Sequence, residues 1–190
     1  MMIKKLWHKF KSGWFSNSLI ILLIVIFIVP SWRLAFSSSV QRLFMSSTTL
    51  KKSINIPLNF SDEQWIIFDS KGKMHSFNDY KGKPIVLTFW ATWCPSCRAE
   101  MPQINNLKNS FKTDVQFISV SNESMATIKA SGELKKHGDF IYNSSNFSPQ
   151  FNFSVYPTTF IIDSDFNIVH KLEGAAKLDS KENINFLLDL

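Results

Sequence analysis

The first hydrophobic feature of the chain is an uninterrupted apolar run, LIILLIVIFIV, from Leu19 to Val29. Its 11 residues would rise only about 16 Å as a helix, short of a hydrocarbon core near 30 Å. Extending the helix from Trp14 to Trp32 brings it to roughly 28 Å and places a tryptophan at each headgroup level. We therefore read residues 14–32 as a transmembrane anchor behind a basic leader, residues 1–13, that stays in the cytoplasm. A signal peptide is the alternative, because the run also fits an h-region and Ala35-Phe36-Ser37 offers a small-x-small cleavage site. Either way the rest of the chain is exported. Residues 37–53 hold eight Ser or Thr in 17 positions with no apolar period, so 33–55 reads as a solvated tether.

Beyond the tether, polar and apolar positions alternate with the periods of strands and helices. Gln64 to Phe68 and Met74 to Phe77 flank the turn-rich Asp69-Ser70-Lys71-Gly72 and predict a hairpin. Pro84 to Trp90 is short, apolar and β-branched or aromatic, which predicts a buried strand, and a helix should follow through about Ser110. Val115 to Ser119 predicts the next buried strand and Ser124 to His137 a helix. Thr158 to Ile162 and Ile168 to Leu172 predict two strands joined across Asp163-Ser164-Asp165, and Ser180 to Leu190 a closing helix. Alternating strands and helices indicate an α/β domain over residues 56–190, with helices covering a central sheet.

Charge refines this picture. The net charge of +6 and a pI near 9.3 suggest nucleic acid at first sight. Yet residues 1–60 carry eight basic residues and no acid, whereas residues 61–190 carry 13 basic and 15 acidic. The globular part is slightly acidic, and a nucleic-acid reading is set aside because the excess lies on the leader. Two cysteines exclude a disulfide-rich scaffold.

Those two cysteines form Cys94-Pro95-Ser96-Cys97, between a buried strand and a helix. With Cys94 at the N-cap and Pro95 at the first helical position, the proline forfeits no helical hydrogen bond, and the Cys94 sulfur faces unpaired N–H groups and the positive end of the helix dipole. A thiolate is stabilised there. Lowering a thiol pKa from about 8.5 to about 7 raises its thiolate fraction at neutral pH from roughly 3% to about 50%. Lower nucleophilicity offsets most of that, so the change improves Cys94 at least as much as a leaving group. Cys97, one turn along, is placed to resolve a mixed disulfide intramolecularly. Pro95 and Ser96 tune the helix start. A zinc site would need four ligands, and His8, His75, His137 and His170 supply neither a His-x3-5-His pair nor a partner CxxC.

Three blocks carry a resemblance to a known family: Asn78-Asp79-Tyr80-Lys81-Gly82-Lys83-Pro84, the run from Phe89 through Cys94-Pro95-Ser96-Cys97 to Pro102, and Val155-Tyr156-Pro157-Thr158-Thr159-Phe160. Over about residues 56–190 the sequence resembles the membrane-anchored thioredoxin-like thiol-disulfide oxidoreductases of the TlpA/ResA type. The resemblance implies a thioredoxin-like fold with a central mixed sheet flanked by helices, an N-terminal hairpin and a central insertion. It implies that Pro157 is a cis-proline beside the active-site disulfide, that Tyr156 presents its backbone to a partner, and that Pro102 kinks the active-site helix. Trp90 and Trp93 read as core or rim aromatics, and of the two Trp93 is the expected partner contact. Glu100 on sequence alone reads first as a solvated helix carboxylate; it resembles the acidic residue near the cysteines in ResA-like members, and that resemblance, with its place one helical turn from Cys97, implies a relay of that thiol's proton. Thr88 departs from ordinary thioredoxin, which has a buried aspartate at that position.

The expected function is disulfide exchange with protein partners by Cys94 and Cys97, outside the cytoplasmic membrane, in the direction of reduction. The resemblance implies clients such as apocytochrome c, an integral-membrane electron donor, and no cofactor beyond the Cys94–Cys97 disulfide. An oxidase or isomerase of the same fold, or a non-enzymatic module binding extended segments, are the alternatives.

Overall fold

The computed structural model describes residues 17–59 and 65–190. The basic leader, Trp14 and Gln64 lie outside the described residues. Eight strands form one sheet: β1 (Ile56–Pro57), β2 (Ile66–Asp69), β3 (Met74–Ser76), β4 (Ile85–Phe89), β5 (Gln116–Ser121), β6 (Ile141–Asn143), β7 (Thr158–Ile162) and β8 (Asn167–Glu173). Their order across the sheet is β1-β8-β7-β4-β5-β6-β2-β3. β4, β5 and β6 run parallel, and β7, β8, β1 and the β2–β3 hairpin are antiparallel to their neighbours. This is the mixed central sheet expected of a thioredoxin-like domain.

β4 lies near the middle, and all five of its residues are buried, as a strand covered on both faces must be. Its period of two sends Ile85, Leu87 and Phe89 into one apolar layer and Val86 into the other. The layer holding Val86 is roofed by helix α3 (Pro95–Asn109) through Met101, Ile104 and Leu107, by α4 (Met125–Ala130) through Ile128, and by α6 (Lys181–Leu188) through Leu187. The opposite layer is aromatic: the rings of Trp65, Phe147, Phe151, Phe153 and Phe160 surround Phe89 at centroid distances of 4.4–5.9 Å. The abundant phenylalanines serve as core filling.

The predicted hairpin, buried strands and closing helix form close to their expected positions. At the hairpin turn, Gly72 adopts φ 81°, and the Asp69 carboxylate accepts the N–H groups of Lys71 and Lys73 at 2.8 and 2.9 Å. The helix expected from Ser124 to His137 is two helices. Ser124 caps α4, accepting the Thr127 N–H at 3.1 Å, but Gly132 takes a left-handed conformation (φ 78°) and restarts the chain as α5 (Glu133–His137). β1 and β6, only two and three residues long, carry too few positions for a period to show.

The N-terminal region departs most from expectation. In place of one straight helix over 14–32, helix α1 (Asn17–Ile28) meets helix α2 (Pro30–Phe44) at a bend of 102°. Val29 is extended (φ −82°, ψ 112°), and Pro30, lacking an N–H, begins the new helix. Among the described residues no single helix is long and apolar enough to cross a membrane; the bent pair meets that criterion together.

The tether reading of 33–55 is likewise corrected. α2 runs through its first half and packs on α3. Ser38 is buried without an unpaired hydroxyl because its Oγ donates to the Leu34 carbonyl at 2.7 Å, so the serine run is compatible with a packed helix. Further on, Met45 and Leu50 are buried, and the N–H groups of Ser53 and Ile54 donate to the Val169 carbonyl at 2.9 and 3.2 Å. The Leu50 N–H reaches the Asn183 carboxamide oxygen at 2.7 Å, while the Asn183 amide donates to the Thr48 carbonyl at 2.8 Å and the Leu178 carbonyl at 3.1 Å. The folded unit therefore begins before Ile56. These contacts escaped the sequence reading because main-chain hydrogen bonds leave no hydrophobic period.

Candidate active site

β4 ends at Phe89 and the chain turns through Trp90-Ala91-Thr92-Trp93 into α3. Cys94 is the N-cap of that helix and Pro95 its first residue, as predicted, and Cys94 and Cys97 are joined as a disulfide. The Cys94 sulfur accepts the Cys97 N–H at 3.2 Å, which uses one of the donors left unpaired at a helix start. The Ser96 hydroxyl stands 3.2 Å from the same sulfur and 3.4 Å from the Tyr156 carbonyl oxygen. Neither a disulfide sulfur nor a carbonyl oxygen carries a proton, so the single Ser96 O–H is the donor and is shared between the two acceptors. Ser96 thus links the cysteines to the Tyr156-Pro157 segment, whose peptide bond is cis.

The surroundings of the cysteines are graded. Cys97 is 1% exposed and Cys94 4%, whereas Trp93 is 60% exposed and meets the Tyr156 ring edge-on at 5.8 Å. The nearly buried Cys94 sulfur thus lies beside an open aromatic rim. Tyr156 is half-buried, its phenol pushed above its usual pKa by burial and then by the Glu123 carboxylate. The Pro157 carbonyl accepts the Gly174 N–H at 2.8 Å, which holds the segment against the end of β8.

Glu100 is not solvated. It is 1% exposed, on the turn of α3 after Cys97, with the Ala176 N–H donating to one oxygen at 3.1 Å and no partner for the other. Burial is the dominant influence on it and raises its pKa to about 8, against the lowering effect of the Ala176 bond. At Thr88 the buried acid of ordinary thioredoxin is replaced by a neutral pair, the Thr88 and Thr159 hydroxyls meeting at 2.9 Å with both residues buried. Pro102 lies inside α3, where it removes the N–H that would have bonded the Arg98 carbonyl.

The sequence reading missed Glu123. Its carboxylate accepts the Thr92 N–H and the Thr92 hydroxyl, each at 2.6 Å, and the Ser121 hydroxyl at 3.1 Å. It clamps the loop that delivers Cys94. The signal was available in the register: Phe89 pairs with Val120 on parallel strands, so Thr92 and Glu123 each lie three residues beyond that pair, at the carboxyl end of the sheet where α/β folds assemble their sites.

A family model described as Redoxin matches residues 50–186, a span that covers the sheet, α3 and the segments just described. The chain belongs to the Redoxin family. Among its relatives, the thiol-disulfide oxidoreductase ResA of Geobacillus kaustophilus is 29% identical over 130 residues, which cover 63% of this chain and 70% of that one. The thioredoxin-like protein YneN of Bacillus subtilis is 28% identical over 123 residues, 61% of this chain and 71% of that one. A solved thiol:disulfide interchange protein of the thioredoxin family from Chlorobium tepidum superposes with a TM-score of 0.57 at 22% identity, covering 73% of this chain and 99% of that one, and shares its fold. With a cysteine pair at the start of α3 in a Redoxin domain, the chain is a thioredoxin-like thiol-disulfide oxidoreductase.

Proposed function

We propose that this Redoxin-family chain reduces disulfides of protein clients outside the cytoplasmic membrane, to which its N-terminal segment tethers it. The observation that carries the reading is the Cys94 sulfur at the start of α3, within 3.2 Å of the Cys97 N–H and of the Ser96 hydroxyl, beside the Tyr156-Pro157 segment. In the reduced protein those donors stabilise a Cys94 thiolate. The thiolate attacks one sulfur of a client disulfide, a client thiolate leaves, and a mixed disulfide forms. Cys97, deprotonated, then attacks the Cys94 sulfur, the second client thiolate leaves, and the Cys94–Cys97 disulfide is produced. Two electrons pass to the client.

Glu100 is the group suited to relay the Cys97 proton: with a pKa raised to about 8 it is mostly protonated at neutral pH, and its ionised minority, roughly a tenth, accepts the thiol proton. Trp93, Tyr156 and Pro157 form the surface on which an extended client segment lies, and Pro95 and Ser96 set the properties of the helix start. The chemistry resides in the cysteine pair itself, without metal or organic cofactor. The resemblance to TlpA/ResA-type proteins supports reduction as the direction, the cysteines of apocytochrome c before haem attachment as clients, and an integral-membrane donor as the source of electrons. The exported topology is supported by the basic leader ahead of the apolar run from Leu19 to Val29.

The test is the reduction potential of the Cys94–Cys97 pair, equilibrated against defined thiol-disulfide buffers. A value below about −200 mV supports a reductant that needs an electron supply, and one near −120 mV makes the protein an oxidant and overturns the proposed direction. Protease treatment of intact cells checks the topology: the domain should be digested from outside.

A further inference from the structure

The outward face of α2 is apolar where a surface helix should be polar. Trp32, Phe36 and Leu43 are 52%, 40% and 80% exposed, and Phe44 is 82% exposed beside them. At about 100° per residue, Trp32, Phe36 and Leu43 fall within about 40° of one another and form one ridge. The ridge runs about 16 Å along the helix. Arg33 and Arg42, both exposed, flank it at roughly 80–100° to either side. The opposite side of α2, with Leu34 and Ser38, turns toward the domain, and Met45 just beyond the helix end is buried there.

The geometry of the elbow says what covers this ridge. α1 stands apart from the domain, with Ile21, Ile24, Phe27 and Ile28 between 51% and 71% exposed. It meets α2 at 102°, and Phe27 packs edge-on against Phe36, a ridge residue, at 6.0 Å. α1 therefore leaves from the side of α2 that carries the ridge, and the two apolar surfaces are continuous. An α1 directed along a bilayer normal would bring α2 nearly into the membrane plane, ridge toward the acyl chains and domain toward water. Aromatic and leucine side chains on one face with arginines at its margins make up the pattern of a helix seated about 5–10 Å into the headgroup boundary.

We propose that α2 lies in the membrane–water interface, with Trp32, Phe36 and Leu43 inserted among the lipids and Arg33 and Arg42 at the phosphate level, so that the domain is docked against the bilayer rather than swinging on a flexible tether. The proposal rests on the membrane reading of the preceding section and adds a second, interfacial contact to it. Its consequence for the chemistry is geometric. α2 packs on α3, and Ala35, Ser38, Ser39 and Arg42 line a pocket shared with Arg98 and Pro102 of α3 and Glu133 and Lys136 of α5, so the helix that carries Cys94 has a fixed height and tilt above the lipid. A partner embedded in the same membrane would meet the cysteines in one orientation.

The test uses the full chain with Cys94–Cys97 kept oxidised, carrying Ile24→Cys, Leu43→Cys or Gln41→Cys, labelled with an environment-sensitive fluorophore. The proteins are reconstituted into vesicles of phosphatidylcholine and phosphatidylglycerol. Gln41 lies about 160° from the ridge on the same helix. The labels at 24 and 43 should emit at shorter wavelength and be quenched by nitroxide lipids, while the label at 41 should stay in water. Lipid contact at 24 with an aqueous label at 43 would overturn the proposal and leave the anchor standing. A chain that fails to float with vesicles and shows no shift at 24 would remove the membrane reading itself. A shift at 43 that disappears as lipid is added at constant protein would assign the ridge to a second copy of the chain, and equal shifts at 41 and 43 would mean immersion of the whole helix; both overturn the proposal.

Discussion

Glu100→Gln tests the inference that a carboxyl inside the active-site helix holds a proton at neutral pH. The pKa of Glu100 is raised from 4.5 to about 8, chiefly by burial. Between those two values the unfolded chain has released this proton and the folded chain still holds it, so the folded state binds more protons and stability falls as pH rises. The stability associated with the protonated group is fully present below about pH 4.5 and is lost on passing through about pH 8. A shift of about 3.5 units at about 1.4 kcal/mol each sets a ceiling near 5 kcal/mol, which rivals the whole stability of an ordinary domain, about 5–15 kcal/mol. The carboxamide of the variant would keep an oxygen for the Ala176 N–H and cannot ionise. The two proteins should therefore unfold within about 1 kcal/mol of each other at pH 5, and the variant should be the more stable at pH 9. Half the ceiling, about 2–3 kcal/mol, would separate their urea midpoints by about 1 M. The assay is urea unfolding in mild detergent with the disulfide intact, so that neither cysteine titrates and all other groups cancel in the comparison. A difference between the two proteins that is the same at pH 5 and pH 9 would refute the buried-proton argument. If the relay also holds, Glu100→Gln should slow release of the mixed disulfide and alter the Cys97 titration.

Three further outcomes follow from the geometry. Ser96→Ala removes the hydroxyl 3.2 Å from the Cys94 sulfur, so the Cys94 thiol pKa should rise by about 1 unit and the reduction potential should fall by about 20–30 mV, read by thiolate absorbance and redox equilibration. Glu123→Ala strips the Thr92 N–H and hydroxyl of their acceptor and should cost about 2–3 kcal/mol in urea unfolding and slow disulfide exchange, with Glu123→Gln recovering part of both; unchanged rates in the alanine variant would mean that the loop before Cys94 holds its shape unaided. Asn183→Ala leaves the Leu50 N–H and the Thr48 and Leu178 carbonyls unpaired in a buried position, so it should cost about 3–5 kcal/mol, and chains cut at Ile56 should be less stable than chains cut at Met45; equal stability would return residues 45–55 to a tether.

What the sequence made legible was whatever has a period or a motif. The strand Thr158–Ile162 is a run of five buried residues, and the helix start at Cys94-Pro95 is dictated by proline chemistry, so both lie where the pattern puts them. Gly132 was equally visible as a letter, but only its left-handed conformation shows that it divides the helix. The stretch from Ser37 to Ser53 misled because Ser and Thr were read as solvent-seeking, whereas Ser38 closes its own hydrogen bond and Asn183, far along the chain, supplies polar partners to Thr48 and Leu50. Glu100 stood midway: its spacing from Cys97 marked one helical turn, but its burial depends on the chain segment around Ala176, more than seventy residues downstream.

The two carboxylates near the cysteines illustrate how environment divides one chemical group into two tasks. Glu123 receives three hydrogen bonds from Thr92 and Ser121, a set of donors that suits a fixed acceptor holding the loop before Cys94. Glu100 receives one, from Ala176, and is otherwise enclosed, so its second oxygen is free to carry or yield a proton on the helix that bears Cys97. On the relay proposed for Glu100, the Thr88–Thr159 hydroxyl pair accounts for the acid's place on the helix: those hydroxyls satisfy each other beneath the site, and neither is acidic enough to exchange a proton with a thiol. A relay carried by the active-site helix rather than by the sheet would depend on the position of α3. That helix is braced on one side by Ala176 through Glu100, and on another by α2. A change in how α2 sits would therefore act on the carboxyl and the cysteines together, through one helix, without altering the sheet that supports them.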